Sequence, residues 1–399
     1  MSVIPTDGPR ARATDDDRLP WGALPAMAGT SFIVIMTETL PAGLLSGLAS
    51  GLGTSQGTAG QLVSVYALGT VLAAVPATVL TRGLRRKPLL IGGLTGFLVA
   101  NTVTALAPSL PVALAARLLG GAFAGLLWSM LAGYVRRIVP ERLAGRALAV
   151  AMAGTPVALA VGTPLGSWLG GVTDWRWAFG AMSVLSALII GWALLAVPDA
   201  PGQRSYERKP LPAVVRVPGV TPILLTVLAW IFAHCVLYTY VGPYLRGFGV
   251  SLGVDLALLV FGVASLAGLA VTATVVDRAL RRITLASLAL FLAAGGLLAA
   301  GGVSDALAVA GLVLWGLGFG GGATQMQTAL AESAGPDTDV ALSLFTVGFN
   351  LAIAAGGVVG GLLVESAGAT VLPAVMGAAA LVAFAAVLAA RRTAFPVGR

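Results

Sequence analysis

The chain has 399 residues and a formal net charge of +8, yet only 10% of its residues are charged and 57% are hydrophobic, with a mean hydropathy of +0.93. A water-soluble protein carries about 25% charge, so one large soluble core is excluded. A nucleic-acid surface is excluded too, because the basic residues fall between apolar stretches and not on one polar face.

Residues 1–20 mix Arg10, Arg12 and Arg18 with Asp15, Asp16 and Asp17 and lack an apolar core, so they read as a polar tail without a cleavable signal. Beyond it, stretches near the ~20 residues that a helix needs to cross a bilayer recur twelve times. The expected fold is an all-α membrane protein with twelve transmembrane helices in two pseudo-symmetric six-helix bundles. The first bundle, 21–197, holds spans near 22–48, 58–80, 88–107, 111–134, 146–170 and 177–197. A solvated linker at 198–219, rich in proline and charge, follows. The second bundle, 220–390, holds spans near 220–243, 255–276, 283–303, 306–330, 340–364 and 371–390, before a tail at 391–399.

The halves repeat each other. Thr81-Arg82-Gly83-Leu84-Arg85-Arg86 returns as Asp277-Arg278-Ala279-Leu280-Arg281-Arg282, a shift of 196 residues, and the same shift carries 120–125 onto 316–321 and Glu38 onto His234. Duplicated membrane bundles of this kind point to secondary transporters with a binding site between the halves. With both termini and the 198–219 linker on the cytoplasmic side, 21 of the 24 Arg and Lys residues lie in cytoplasmic segments, which fixes the expected orientation.

Taken in chain order, the polar residues inside the spans are the functional candidates, because each is costly in hydrocarbon. Glu38 lies roughly 21 Å along span 1 from Leu24. In span 2, Gln61 and Ser64 share a face. In span 4, Arg117 lies roughly 9 Å from the outer end and forms a stripe with Gly121, Ala124 and Trp128. Glu38 and Arg117 either face one cavity, where a proton on Glu38 weakens their attraction, or Arg117 bonds backbone carbonyls and Glu38 shapes the cavity. Span 5 repeats a small residue every fourth position through Gly154, Ala158, Gly162, Gly166 and Gly170, with Pro156 and Pro164 breaking its ladder. Span 11 repeats the stripe at Ala352, Gly356 and Gly360, so both spans read either as surfaces on which the halves rock or as pure packing faces without motion. In span 7, Trp230, His234 and Tyr238 share one face. That stripe suits a flat or hydroxylated solute, with His234 as a second proton carrier, or else His234 is neutral and bonded inside the bundle. Gln327 in span 10 and Asn350 in span 11 complete the expected solute contacts. Cys235 is the only cysteine, so no internal disulfide forms. Metal-ligand clusters, phosphate-cradling loops and nucleophile elbows are missing from the sequence, so neither an enzyme nor a cofactor is expected.

Several motifs resemble the major facilitator superfamily. They are the basic turns after spans 2 and 8, Arg117-Leu-Leu-Gly-Gly121, and Trp175-Arg-Trp-Ala-Phe179. Gly154-Thr-Pro, five residues, then Gly162-Thr-Pro-Leu-Gly166 is similar to the motif of its twelve-helix drug:proton antiporter group. Glu38-Thr-Leu-Pro-Ala-Gly-Leu-Leu45 and 59–69 resemble the arabinose-efflux-permease branch. The resemblance implies a cavity lined by spans 1, 4, 7 and 10, and proton-coupled efflux of a sugar, nucleoside or antibiotic from a bacterial cytoplasmic membrane. Its expected partners are the small-molecule substrate, protons and the lipid bilayer, with a monomer as the working unit. A facilitative or uptake carrier stays open, and behind it a sensor or channel. The resemblance also implies that the basic turns, Arg82 and Arg85 in the first and Asp277, Arg278 and Arg281 in the second, lock the inward-closed state. Thr81 stands where the family has aspartate, which leaves Asp277 with its neighbouring arginines as the expected ionic latch.

Overall fold

The computed structural model describes residues 19–81, 83–202 and 217–395, and in them the chain is helical almost throughout. Helix α1 runs Leu24–Gly43 and continues as Leu45–Gly51 after a 72° bend. Then follow α2 (Gln56–Thr81), α3 (Arg86–Ala105), α4 (Leu110–Arg137), α5 (Glu141–Val172) and α6 (Trp175–Ala196). Helix α7 runs Val220–Tyr238 and continues as Val241–Gly247. Helices α8 and α9 share the segment Val254–Ala299, whose 46 residues would reach roughly 70 Å if straight, over twice the ~30 Å of bilayer hydrocarbon. Non-helical dihedrals at Ala279 break that segment into two spans. Helices α10 (Asp305–Ala334, broken at Gly321), α11 (Thr338–Ser366) and α12 (Leu372–Ala389) complete the chain.

The duplication reaches the backbone. The breaks in α1 and α7 fall at Leu44 and Tyr240, 196 residues apart, with nearly the same dihedrals, φ −114° and ψ 11° against φ −114° and ψ 28°. In α1 the cause is near at hand. Pro41 lacks an N–H and so leaves the Thr37 carbonyl without its helical donor.

The hydrogen-bond ladder of span 5 is interrupted where its prolines predict. Pro164 cannot donate to the carbonyl four residues back, and the ladder answers with a π-type turn at Ala158–Gly162. The glycine stripe of α5, however, does not face the other half. A methyl group at Gly154 would strike the Ala28 carbonyl and Ser31, one at Gly162 would strike Met36, and one at Gly166 would strike Leu40. All are residues of α1 in the same half. Likewise Gly356 and Gly360 of α11 pack on Cys235, Val236 and Tyr240 of α7. The close contacts between the halves are made by neighbouring positions: Gly262 of α8 rests on Ala160 of α5, and Gly357 and Gly361 of α11 rest on Ser64, Gln61 and Gly57 of α2. The expectation for Gly154, Gly162 and Gly166 is corrected accordingly. Small residues allow close approach on any face, and the sequence does not say which helix approaches.

Candidate functional site

Glu38 is buried in α1 at 9% exposure, and among the described residues its carboxylate has no hydrogen bond and no ion pair. Arg117 of α4, at 2% exposure, does not bridge to it. Its Nε donates to the Leu62 carbonyl at 3.1 Å, Nη1 donates to the Thr37 carbonyl, and Nη2 reaches the Glu38 carbonyl at 3.4 Å. The guanidinium therefore takes the acceptor that Pro41 releases. It also stacks over the Tyr66 ring at 4.5 Å, and the Tyr66 hydroxyl donates to the Val34 carbonyl. Of the two arrangements open from sequence, the carbonyl-bound arginine is the one present. Glu38 is still near enough to feel the field of Arg117, as are Cys235 and Tyr238 to feel that of Glu38.

Across from Glu38 lies an aromatic box. The His234 ring stacks on Phe319 at 3.7 Å between centroids with 10° between planes, and Tyr238, Trp315 and Phe261 stand at 4.7, 5.4 and 5.5 Å. Three polar atoms in this box are buried without a partner: His234 Nδ1, Tyr238 Oη and Trp315 Nε1. Asn350 donates to the Thr346 carbonyl of its own helix and leaves Oδ1 unpartnered. Buried polar atoms are nearly always satisfied, and here several orphans fall within or beside one aromatic cluster.

The other candidates divide. Trp230 turns away from the box, edge-on to Phe291 at 6.3 Å and against Gly322. Trp128 is half-buried, packed on the core. Gln327 is exposed, and the buried glutamine of α10 is Gln325, whose Nε2 donates to Thr272 and Ser287. Asp277 is exposed and forms no ion pair among the described residues, because Arg281 turns to the Val387 and Phe395 carbonyls, and Arg278 is exposed. The expected latch is therefore not formed here. Arg82 lies outside the described residues, while Arg85 pairs with Asp199 at 2.6 Å.

Sequence reasoning missed a seal at the end of the molecule opposite the basic turns. There the Glu365 carboxylate accepts from Ser55 and, at 3.2 Å, from Thr58. The Tyr240 hydroxyl lies 2.7 Å from the Gly357 carbonyl and 3.2 Å from that of Gly57, and Arg246 donates to Gln56. All but the Tyr240–Gly357 bond join the first half to the second. A charged residue at the last turn of a span was the only available sign of it.

Comparison with known proteins agrees with this architecture. Residues 27–340 match the sequence profile of the Major Facilitator Superfamily. The chain is 30% identical over 365 residues, 90% of each chain, to proteins named purine ribonucleoside efflux pump NepI from Salmonella typhimurium and Salmonella typhi. Among solved structures it is similar to the nucleoside transporter NupG, with a TM-score of 0.72 at 13% identity over 92% of this chain and 98% of that one. It is also similar to the human organic anion transporter MFSD10, with a TM-score of 0.70 at 18% identity over 93% and 100%. A duplicated helical fold, relatives that are membrane transporters and a matching profile lead to one conclusion: the chain is a multi-pass membrane transporter of a small solute and belongs to the Major Facilitator Superfamily.

Proposed function

We propose that the chain is a proton-driven exporter of a purine-ribonucleoside-like solute, acting as a monomer in a bacterial cytoplasmic membrane with both termini in the cytoplasm. The two halves, 21–197 and 220–390, rock as units about the α2–α11 and α5–α8 contacts. The observation that carries this reading is the buried Glu38 carboxylate, without a partner among the described residues and near enough to Tyr238 for its field to reach that hydroxyl. An ionised carboxylate in mid-bilayer costs about 2.5–3.5 kcal/mol or more. A proton removes that cost, and so does a hydrogen-bond donor on the solute. Proton and solute then compete for one group, which is the requirement for exchange.

The box suits a purine nucleoside. The base is a flat ring able to stack on aromatic faces, and Asn350 Oδ1, Tyr238 Oη and Trp315 Nε1 offer an acceptor and donors to base and ribose. The names of the relatives point the same way. A membrane potential supplies roughly 2.3 kcal/mol per charge per 100 mV, enough for one proton to drive a gradient beyond tenfold.

The test uses inverted vesicles, with adenosine, guanosine and inosine added in turn while proton release is followed. Wild type releases protons on addition, and Glu38→Gln binds nucleoside without releasing them. Proton-driven transport by Glu38→Gln would overturn the coupling. Proton release with sugars or antibiotics but not with nucleosides would overturn the substrate.

A further inference from the structure

A groove of about 750 Å³ opens on the outer face between α3, α4 and α6. Its floor is Gly92, where a methyl group would meet nothing within 4 Å. Val99, Leu119 and Phe123 form its walls, and Lys87 and Asp199 stand at its mouth. From Lys87 to Val99 the groove follows roughly 18 Å of helix, slightly more than one leaflet's share, about 15 Å, of the hydrocarbon.

The mouth is strongly basic. Arg85 is exposed, and Arg86 and Arg137 lie near enough to repel each other. The carboxylate among them, Asp199, is already engaged by Arg85 and by the Lys87 and Ala200 N–H groups. Lys87 Nζ donates to the Leu194 carbonyl at 2.8 Å, which leaves two of its three donors. The rim carries more positive than negative charge, and a slot one leaflet deep beneath it fits one ligand chemistry. We propose that this groove holds a single anionic phospholipid, its acyl chain along Gly92 to Val99 and its phosphate against Arg85 and Lys87. The site is separate from the central box, and neither the fold nor the transport reading requires it.

Native mass spectrometry tests this on full-length protein released from vesicles of equal parts phosphatidylglycerol and phosphatidylcholine. One phosphatidylglycerol is expected to remain bound to wild type. Arg85→Gln and Lys87→Gln each weaken its retention about fivefold, as expected for one charge at an anionic surface. Gly92→Leu fills the floor with every charge intact and abolishes retention. Thr95→Trp, at the exposed rim, fills the slot from the other side and does the same, and both variants are read only if they melt as wild type does. Equal retention of phosphatidylcholine would overturn the proposal. So would phosphatidylglycerol held by both filled-groove variants, which reduces the site to surface charge, or its full displacement by inorganic phosphate, which reduces it to an anion site.

Discussion

Gly262→Ala is the sharpest probe of how the halves meet. A methyl group at this position would lie 2.5 Å from the Ala160 Cα and 2.7 Å from the Leu159 carbonyl oxygen. Both are backbone atoms of the π-type turn in α5, so no side chain can swing aside. Overpacking of this kind costs about 1–3 kcal/mol. The cost falls only on the conformation in which α5 and α8 touch. Alanine is also a better helix former than glycine by about 1 kcal/mol, and that gain applies in every conformation. The gain only partly offsets the cost where α5 and α8 touch, and the conformation with a closed seal loses ground to one in which they are apart by a factor of about 5–150. Spin labels at Val172 and Leu256, which are 60% and 46% exposed on the two sides of this contact, would read the change as a growing long-distance population. The background would carry Cys235→Ala. Unchanged distances together with an unchanged transport rate would show that the contact carries no part of the switch.

Three further outcomes are expected. Arg117→Met leaves the Thr37 carbonyl, which Pro41 deprives of its helical donor, buried without a partner, so the melting temperature of purified protein falls by the equivalent of about 1–3 kcal/mol; an unchanged melt would refute the carbonyl anchor. Tyr240→Phe removes the hydroxyl that spans Gly57 and Gly357 and shifts the seal toward opening by about 1 kcal/mol, in the same direction as Gly262→Ala but more weakly, read with the same labels. Asp199 is held below the usual carboxylate range, first by the Lys87 N–H and then by the Ala200 N–H and the Arg85 guanidinium. The stabilisation it gives is present above about pH 4, the unfolded value, and is lost as pH falls through the lower folded value. In melts taken between pH 7 and 2, Asp199→Asn should start lower than wild type and fall less in acid, and parallel curves would count against the pairing.

The spans were legible because bilayer thickness writes itself into apolar length. The paired joints at Leu44 and Tyr240 were implicit in the repeat that maps Glu38 onto His234. Partners were harder to read. The every-fourth glycine of α5 announced a close neighbour but not that the neighbour was α1, since a missing side chain carries no address. Phe261, Trp315 and Phe319 escaped notice because an aromatic residue on an apolar span looks the same whether it fills a core or encloses a histidine. Arg117 was recognised as buried, yet its true acceptor follows from Pro41, a residue of another helix with no charge at all. Asn350 was found by its polarity alone, whereas Gln325 and Gln327 differ only in which side of α10 they occupy.

Tyr238 and Tyr240 stand two residues apart on either side of the α7 joint. The first borders the box, and the second holds the backbone of both halves at the seal opposite the basic turns. Cargo that pushed Tyr238 aside would tug on the closing bolt through a lever of two peptide units, with no relay of distant side chains to lose the signal. Sensing that the chamber is filled and releasing its far door would then be one motion of one short piece of backbone.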